Sequence, residues 1–521
     1  MQIKNRPTLR NALLACGIIS LVSTNWIQDA GAAEKIPWAE IDKIARDHVA
    51  AESPASVWPF EQAPREQLAA AAKKSFPHYF TPNPLSFANQ PPELDNYTRH
   101  HLTPDGEGGK YRKAGGYLRQ RPLPIDPHDS PWWEYINFAI EIHRARAIGQ
   151  DGFAADILSI DPTPPWGVFW TRQLKLMETA AAIAPDFHIM IMPDMNAGLR
   201  RQPEQLERVI ETLAASPAAW RLDDGRVVVS NFLANARPPE YWKNAFDALE
   251  KKGLRTAFLP VFLGYHNIQK FARDYAPISW GMSDWGFRDL ADIKAVDFEN
   301  AAKNVRHYTS NWMMPVAPQD FRPKAMQAWE AENTSAFRRL WEIAINGGSN
   351  LVQLITWNDY GEGTEISPST GTQFLYYDLC GYYTTWFKLG RPPAITKDAI
   401  YYCHRVQTVP LREGPDPEKQ PKLFQRMGGT PLKNEVELLA MLTAPAVLEI
   451  EQNGKIARVE RPAGVVELKA DAEPGRPVFR ILRDGKKVVE LPSHWTITDK
   501  ADYQNLLYHG GSSTRRPIPG P

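Results

Sequence analysis

Leu351-Val352-Gln353-Leu354-Ile355-Thr356-Trp357-Asn358-Asp359-Tyr360-Gly361-Glu362 is an apolar run that passes directly into polar, aromatic and acidic residues. A short apolar run of this kind reads as a strand buried on both faces, and a barrel places its chemistry just past the C-terminal ends of such strands. Toward the N-terminus, seven more runs of the same character lie at residues 75–80, 152–157, 187–192, 226–232, 256–262, 277–281 and 311–316. Between them, stretches such as 133–148, 203–215, 238–252, 298–308 and 334–346 carry apolar residues on one helical face and polar ones on the other. Strands alternating with helices imply parallel strands joined by crossovers. Eight such units predict an α/β fold, a (β/α)8 TIM barrel over residues 75–392, in preference to an open doubly wound sheet. The Pro- and Gly-rich insertion 81–130 follows the first strand on the side where barrel active-site loops lie, and is expected to shape the cleft.

Outside the barrel, residues 33–74 read as a helical arm broken by the Pro-rich stretch 53–64. Beyond residue 393 the pattern changes to short strands at close spacing, with hairpin turns signalled by Asn453-Gly454 and Asp484-Gly485. Candidate strands at 399–407, 436–442, 447–452, 455–459, 465–469, 478–482 and 487–491 predict a C-terminal all-β sandwich domain over 393–511. Trp495 is the one tryptophan it holds, so the sandwich is expected to pack on the barrel rather than to act as a mobile carbohydrate-binding module. Residues 512–521 are expected to be a disordered tail.

Composition narrows the function. Sixty Lys and Arg balance sixty Asp and Glu over 521 residues, so no global field draws the chain to nucleic acid or to an acidic membrane. A mean hydropathy of −0.42 excludes a polytopic membrane protein. Lys4, Arg6 and Arg10 precede the apolar run 11–22, and Ala30-Gly31-Ala32 follows, which is the pattern of a cleavable secretory signal over residues 1–32 and implies a secreted or periplasmic protein. Of the three cysteines only Cys380 and Cys403 outlast that cleavage, and a disulfide and two buried thiols both remain open for them. Seventeen tryptophans are many, and tryptophan gathers in cores and in pockets that stack on flat apolar faces such as those of sugars.

Asp359 and Glu362 stand where two carboxyls could flank a glycosidic bond, one as acid and one as base, although capping the next element is the alternative for such residues. Other strand ends converge on the same rim: His78 and Tyr79 at the first, Asp156 at the second, Asp194 at the third. Trp166, Trp170, Trp280, Trp285, Trp312 and Trp357 lie at or beyond strand ends as candidate sugar platforms, with core packing the alternative for each. HExxH, paired-cysteine, GxSxG and phosphate-cradling patterns are missing, so no metal or cofactor is expected.

The run 355–362 strongly resembles the signature near the end of the barrel in glycoside hydrolase family 71, the α-1,3-glucanases or mutanases. Three segments agree in order: His78-Tyr79 resembles the family's first-strand motif, Asp194-Met195 its third-strand pair, and Trp312-Met313-Met314-Pro315-Val316-Ala317-Pro318 its segment before the final helix and strand. The resemblance spans about 75–392, with Asp156 standing in place of an Asn and Gly363-Thr364-Glu365 departing from the family's continuation. It implies a secreted, cofactor-free enzyme that cleaves α-1,3-glucan with inversion through Asp359 and Glu362. Substrate contacts are expected from His78, Tyr79, Asp156, Asp194, Trp280, Trp285, Trp357, Asn358 and Tyr360, with a polysaccharide as partner and a monomer as the working unit. Two alternatives carry different consequences: a barrel hydrolase on another α-linked polysaccharide such as a mannan, and a non-catalytic glycan-binding protein, which would need no paired acids.

Overall fold

A computed structural model describes residues 35–86, 89–201 and 203–518. The expected signal peptide, residues 1–32, lies outside the described residues. Eight parallel strands close a barrel: β1 (Lys74–Tyr79), β2 (Gly152–Ile157), β3 (His188–Pro193), β4 (Val227–Asn231), β5 (Thr256–Phe262), β6 (Met282–Asp284), β7 (Trp312–Val316) and, after the short strands β8 (Phe321–Arg322) and β9 (Gln327–Trp329), β10 (Leu351–Leu354), which pairs with both β7 and β1. Side chains alternate across each strand. Phe76, Ala154, Met190, Val228, Leu259, Met313 and Leu351 fill the interior, while their neighbours Phe153, Ile189, Val229, Phe258, Met314 and Val352 join the larger core under the helices. Such two-sided burial is why these strands read as continuous apolar runs.

Seven of the eight barrel strands lie within a few residues of where the apolar runs placed them; the sixth does not. It runs over Met282–Asp284, and residues 277 and 278 of the expected strand belong instead to a short helical turn, Ala276–Ile278. The shift has a functional consequence, because Trp280 now precedes its strand and sits at the N-terminal end of the barrel. There it packs edge-on against Trp220, which in turn lies on Phe76 at 4.4 Å and plugs the barrel floor.

C-terminal to the barrel, two four-stranded antiparallel sheets face one another. One has the order β16-β13-β11-β19 and the other β15-β14-β17-β18, with β11 (Ala399–Arg405), β13 (Glu435–Leu442), β14 (Ala446–Gln452), β15 (Lys455–Arg461), β16 (Gly464–Asp471), β17 (Val478–Arg483), β18 (Lys486–Pro492) and β19 (Tyr508–Ser512). A further strand, β12 (Gln425–Met427), leaves the sandwich and pairs in parallel with β9, so that β12-β9-β8 form a third sheet with the barrel's own excursion. The described residues from Trp38 onward form a single compact unit.

The expected disordered tail is corrected over the residues described. Tyr508–Ser512 is the edge strand of a sheet, Ser513 N–H donates to Ile400 O, and the Arg515 guanidinium grips the fully buried Asp378 carboxylate at 2.7 Å while lying over Phe374. A buried charge must be paired, and here the partners come from opposite sides of the chain. Cys380 and Cys403 are both buried free thiols.

Candidate active site

A cavity of about 450 Å³ opens at the C-terminal rim of the barrel. His78 from β1, Asp156 from β2 and Asp194 beyond β3 form its floor; Thr356, Asp359 and Glu362 beyond β10 form one wall. Phe232, Leu233, Leu263, Trp285 and Phe287 supply an apolar side, and Asp320, Arg322, Lys324 and Trp329 come from the excursion that includes β8 and β9.

Burial disfavours the charged form of each group on the floor. His78 is pushed down to about 3, so its ring is uncharged; Nδ1 lies 3.3 Å from Met192 Sδ and Nε2 lies 3.8 Å from Asp156 Oδ2. Asp156 is raised well above the carboxylate range by burial and by the charges of Asp194 and Asp359, and its Oδ1 has no hydrogen-bond partner among the described residues. Asp194 is raised to about 6 by burial, opposed by hydrogen bonds from the Asn196 and Ala197 backbone, the first at 2.6 Å. Carboxyls gathered in a desolvated site cannot all ionise, so protons are shared among them.

On the wall, Asp359 Oδ1 accepts from the Gly361 and Glu362 N–H groups at 3.0 and 3.2 Å, while the Asp359 N–H donates to Thr356 Oγ1 at 2.8 Å. This turn aims both acids into the cavity. A side chain at Gly361 would crowd Asp359 Oδ1 and Tyr117 Oη, each 3.2 Å from the position of a Cβ. Burial raises Asp359, and the Lys324 and Arg322 charges oppose that rise. Glu362 keeps 17% of its side-chain surface exposed and is pushed up to about 8 by burial and by the Asp359 charge, against the pull of Arg322. The two acids therefore differ in environment, which is how one fold sets an acid beside a base.

Arg322 Nη2 forms an ion pair with Glu362 Oε2 at 2.9 Å. The same guanidinium forks onto Asp320 with both contacts at 2.6 Å and lies over the Trp329 ring. Asp320 is fully buried and also accepts from Arg288 Nε at 3.1 Å. Lys324 stands at the lip, exposed and over the Tyr117 ring; burial would lower it, but the Asp359 charge leaves it raised. Among the described residues no group of three or more His, Cys, Asp or Glu side chains is placed to hold a metal ion.

Of the residues expected from sequence, His78, Asp156, Asp194, Trp285, Asp359 and Glu362 are brought together here. Five are not. Tyr79 points away from its neighbour His78 and packs on Phe153 in the outer core. Trp280 is at the barrel floor. Trp357 is fully buried between Phe153 and Tyr377, with its indole N–H on Glu141. Asn358 uses its amide to tie the loop after β1, accepting from Phe80 N–H at 2.7 Å and donating to the Phe80 and Asn83 carbonyls at 3.0 Å each. Tyr360 packs with Tyr97 and Leu118 of the 81–130 insertion. Sequence reasoning missed Arg288, Asp320, Arg322, Lys324 and Trp329. Asp320 follows the end of β7, so the rule applied to the other strands would have marked it; the remaining four carry no local signal.

Residues 131–515 match the family model described as glycosyl hydrolase family 71. The chain is 23% identical over 403 residues to glucan endo-1,3-alpha-glucosidase agn1 of Schizosaccharomyces pombe, covering 71% of this chain and 91% of that protein. It is 24% identical over 404 residues to mutanase Pc12g07500 of Penicillium rubens, covering 72% and 84%. Among solved structures, the GH99 endo-alpha-mannosidase of Bacteroides thetaiotaomicron superposes with a TM-score of 0.45 at 13% identity, over 60% of this chain and 97% of that one. The expectation that the resemblance ends with the barrel near 392 is corrected, since the family match runs on through the β layers to residue 515. With nearly three quarters of its length matched, the chain belongs to glycosyl hydrolase family 71 and is a glycoside hydrolase.

Proposed function

We propose that this hydrolase cleaves α-1,3-linked glucan with inversion of the anomeric centre, Glu362 acting as general acid and Asp359 as general base, outside the cytoplasm after removal of an N-terminal signal. The observation that carries the reading is the placement of both acids on one wall of the cavity in unlike surroundings. Glu362, at about 8, holds its proton near neutral pH and can give it to the departing glycosidic oxygen. Asp359 is favoured as the ionised partner by two backbone N–H donors and by Lys324 and Arg322. It takes a proton from the attacking water as the water's oxygen bonds to the anomeric carbon and the glycosidic bond breaks. His78, Asp156, Asp194 and Trp285 are the groups left to hold sugar hydroxyls and a sugar face. The linkage is supported by the names of the two fungal relatives, and the export by the basic, apolar and small-residue pattern of residues 1–32.

The test is incubation of the protein with linear α-1,3-glucan, with the products and their initial anomeric form followed by NMR. Release of β-configured oligosaccharides supports the proposal. Products of retained configuration refute the assigned roles, and turnover of an α-mannan but not of the glucan refutes the substrate.

A further inference from the structure

The cavity wall opposite the floor is not built by the barrel alone. Strands β8 and β9 are two and three residues long, and an isolated hairpin of that size is marginal in water. Its third strand is β12, whose residues 425–427 pair with 327–329, and Gln425 N–H closes the turn by donating to Met326 O at 2.8 Å. Phe424 packs at a tilt against Phe321, ring centroids 4.7 Å apart, immediately before Arg322. Phe321 N–H donates to Glu362 O at 2.8 Å, so the hairpin and the acid are joined through the backbone as well as through Arg322.

We propose that Arg322 is a positioning residue for Glu362, and that the C-terminal region is part of the active site because its strand β12 holds the hairpin carrying Arg322. The geometry gives Arg322 little freedom: it forks onto Asp320, lies over Trp329, and the Nη2 that closes the fork also stands 2.9 Å from Glu362 Oε2. That contact fixes one carboxyl oxygen and leaves Oε1 to carry the proton into the cavity. A forked guanidinium does this where a lysine ammonium would not, since only the fork fixes direction as well as charge.

The inference rests on Glu362 being one of the catalytic acids. The charged or titratable groups around Glu362 are Asp359 on its own loop, Asp320, Arg322 and Lys324 on the excursion, Arg288 beyond β6 and Tyr117 of the insertion. Among the described residues, Arg322 is the one whose charge forms an ion pair with its carboxylate. Removing that cation leaves the repulsion from Asp359 and Asp320 less opposed, so Glu362 binds its proton more tightly.

The experiment measures kcat, KM and the pH dependence of kcat/KM on α-1,3-glucan oligosaccharides for the full-length protein and for Arg322→Met, Arg322→Lys, Phe424→Ala and Glu362→Gln, with circular dichroism to confirm folding. Arg322→Met should lose at least ~10-fold in kcat with KM changed less than ~3-fold, and its alkaline limb should move to higher pH. Phe424→Ala, remote from substrate, should move that limb the same way by a smaller amount. Should Arg322→Met fail to fold, Arg322→Lys decides: lowered kcat with the alkaline limb in place supports the proposal, and wild-type kcat overturns it. A wild-type limb in Arg322→Met beside an inactive Glu362→Gln overturns the role of Arg322 alone. A wild-type profile in Phe424→Ala overturns the part given to β12. An active Glu362→Gln overturns both this proposal and the catalytic reading beneath it.

Discussion

Trp357 lies two residues before the acidic pair, yet its environment makes it a structural residue, and replacing it separates the two roles. The side chain is fully buried, its ring centroid is 5.4 Å from Phe153 and 6.4 Å from Tyr377, and its indole N–H serves the Glu141 carboxylate. Glu141 is itself buried and has Arg144 and Ser367 as its other hydrogen-bond partners among the described residues, each at 3.3 Å. Trp357→Ala removes an aromatic from a packed core, about 3–5 kcal/mol, and strips a donor from a buried acid, about 1–3 kcal/mol. The sum rivals the whole stability of an ordinary domain. Trp357→Phe keeps most of the ring and isolates the second contribution, so it should cost about 1–3 kcal/mol. Chemical denaturation of Trp357→Phe gives the stability, and steady-state kinetics on the folded protein gives the function. Lower stability with kcat and KM within ~2-fold of wild type is expected. Wild-type stability with a large rise in KM would return Trp357 to the substrate site and refute the packing argument.

Other outcomes follow from the same geometry. Asp359→Asn and Glu362→Gln should each lower turnover by at least ~100-fold while glucan binding, measured by calorimetry, stays near wild type. The wild-type rate should follow a bell in pH, falling on the alkaline side as Glu362 loses its proton near about 8 and on the acid side as the base gains one. Because the folded state raises Glu362 from 4.5 to about 8, the folded protein binds that proton more tightly than the unfolded chain, and this contribution to stability is lost as pH rises through that window. Glu362→Gln should therefore gain on wild type in denaturation midpoint between pH 5 and 8, and a pH-independent difference would contradict the shift. Arg515→Met leaves Asp378 buried without its cation and should cost about 3–5 kcal/mol in chemical denaturation, whereas a free tail would show no change.

The barrel was legible because burial on both strand faces leaves unbroken apolar runs, and the parity of each strand was legible too. His78 and Tyr79 are adjacent, so only one of them can face the interior. Strand β6 was not legible: Met282-Ser283-Asp284 is three residues long, and the more apolar Pro277-Ile278 drew the expected strand upstream, taking Trp280 from floor to rim. Past β10 the alternation itself fails. Ile355 still belongs to the interior cluster, Thr356 lines the cavity, and Trp357 joins the outer core, because ladder pairing ends at Leu354 and the chain turns. Strict period two would have sent Trp357 inward.

What sequence could not supply was the cationic half of the site. Gln319-Asp320-Phe321-Arg322-Pro323-Lys324 has neither helical nor strand periodicity, and it meets residues far along the chain, with Phe321 against Phe424 and the following strand β9 paired with β12. Gln319 donates to Tyr508 O at 3.2 Å and accepts from Tyr508 N–H at 2.9 Å, while Leu507 lies 2.8 Å from where a Cβ on Gly363 would stand. The loop bearing Glu362 and the hairpin bearing Arg322 are thus both braced by residues beyond 420. Local pattern places a boundary near 393, where helices give way to short strands, and the scarcity of tryptophan beyond it predicts a sandwich packed on the barrel without saying which barrel loops it meets. The contacts run across that boundary. A glycosidase acid needs its carboxyl held to within a fraction of an ångström as well as desolvated, and a barrel rim made of loops supplies the second more readily than the first. Here the β layers provide the bracing: β12 pairs with β9, and Tyr508 and Gln319 exchange two hydrogen bonds.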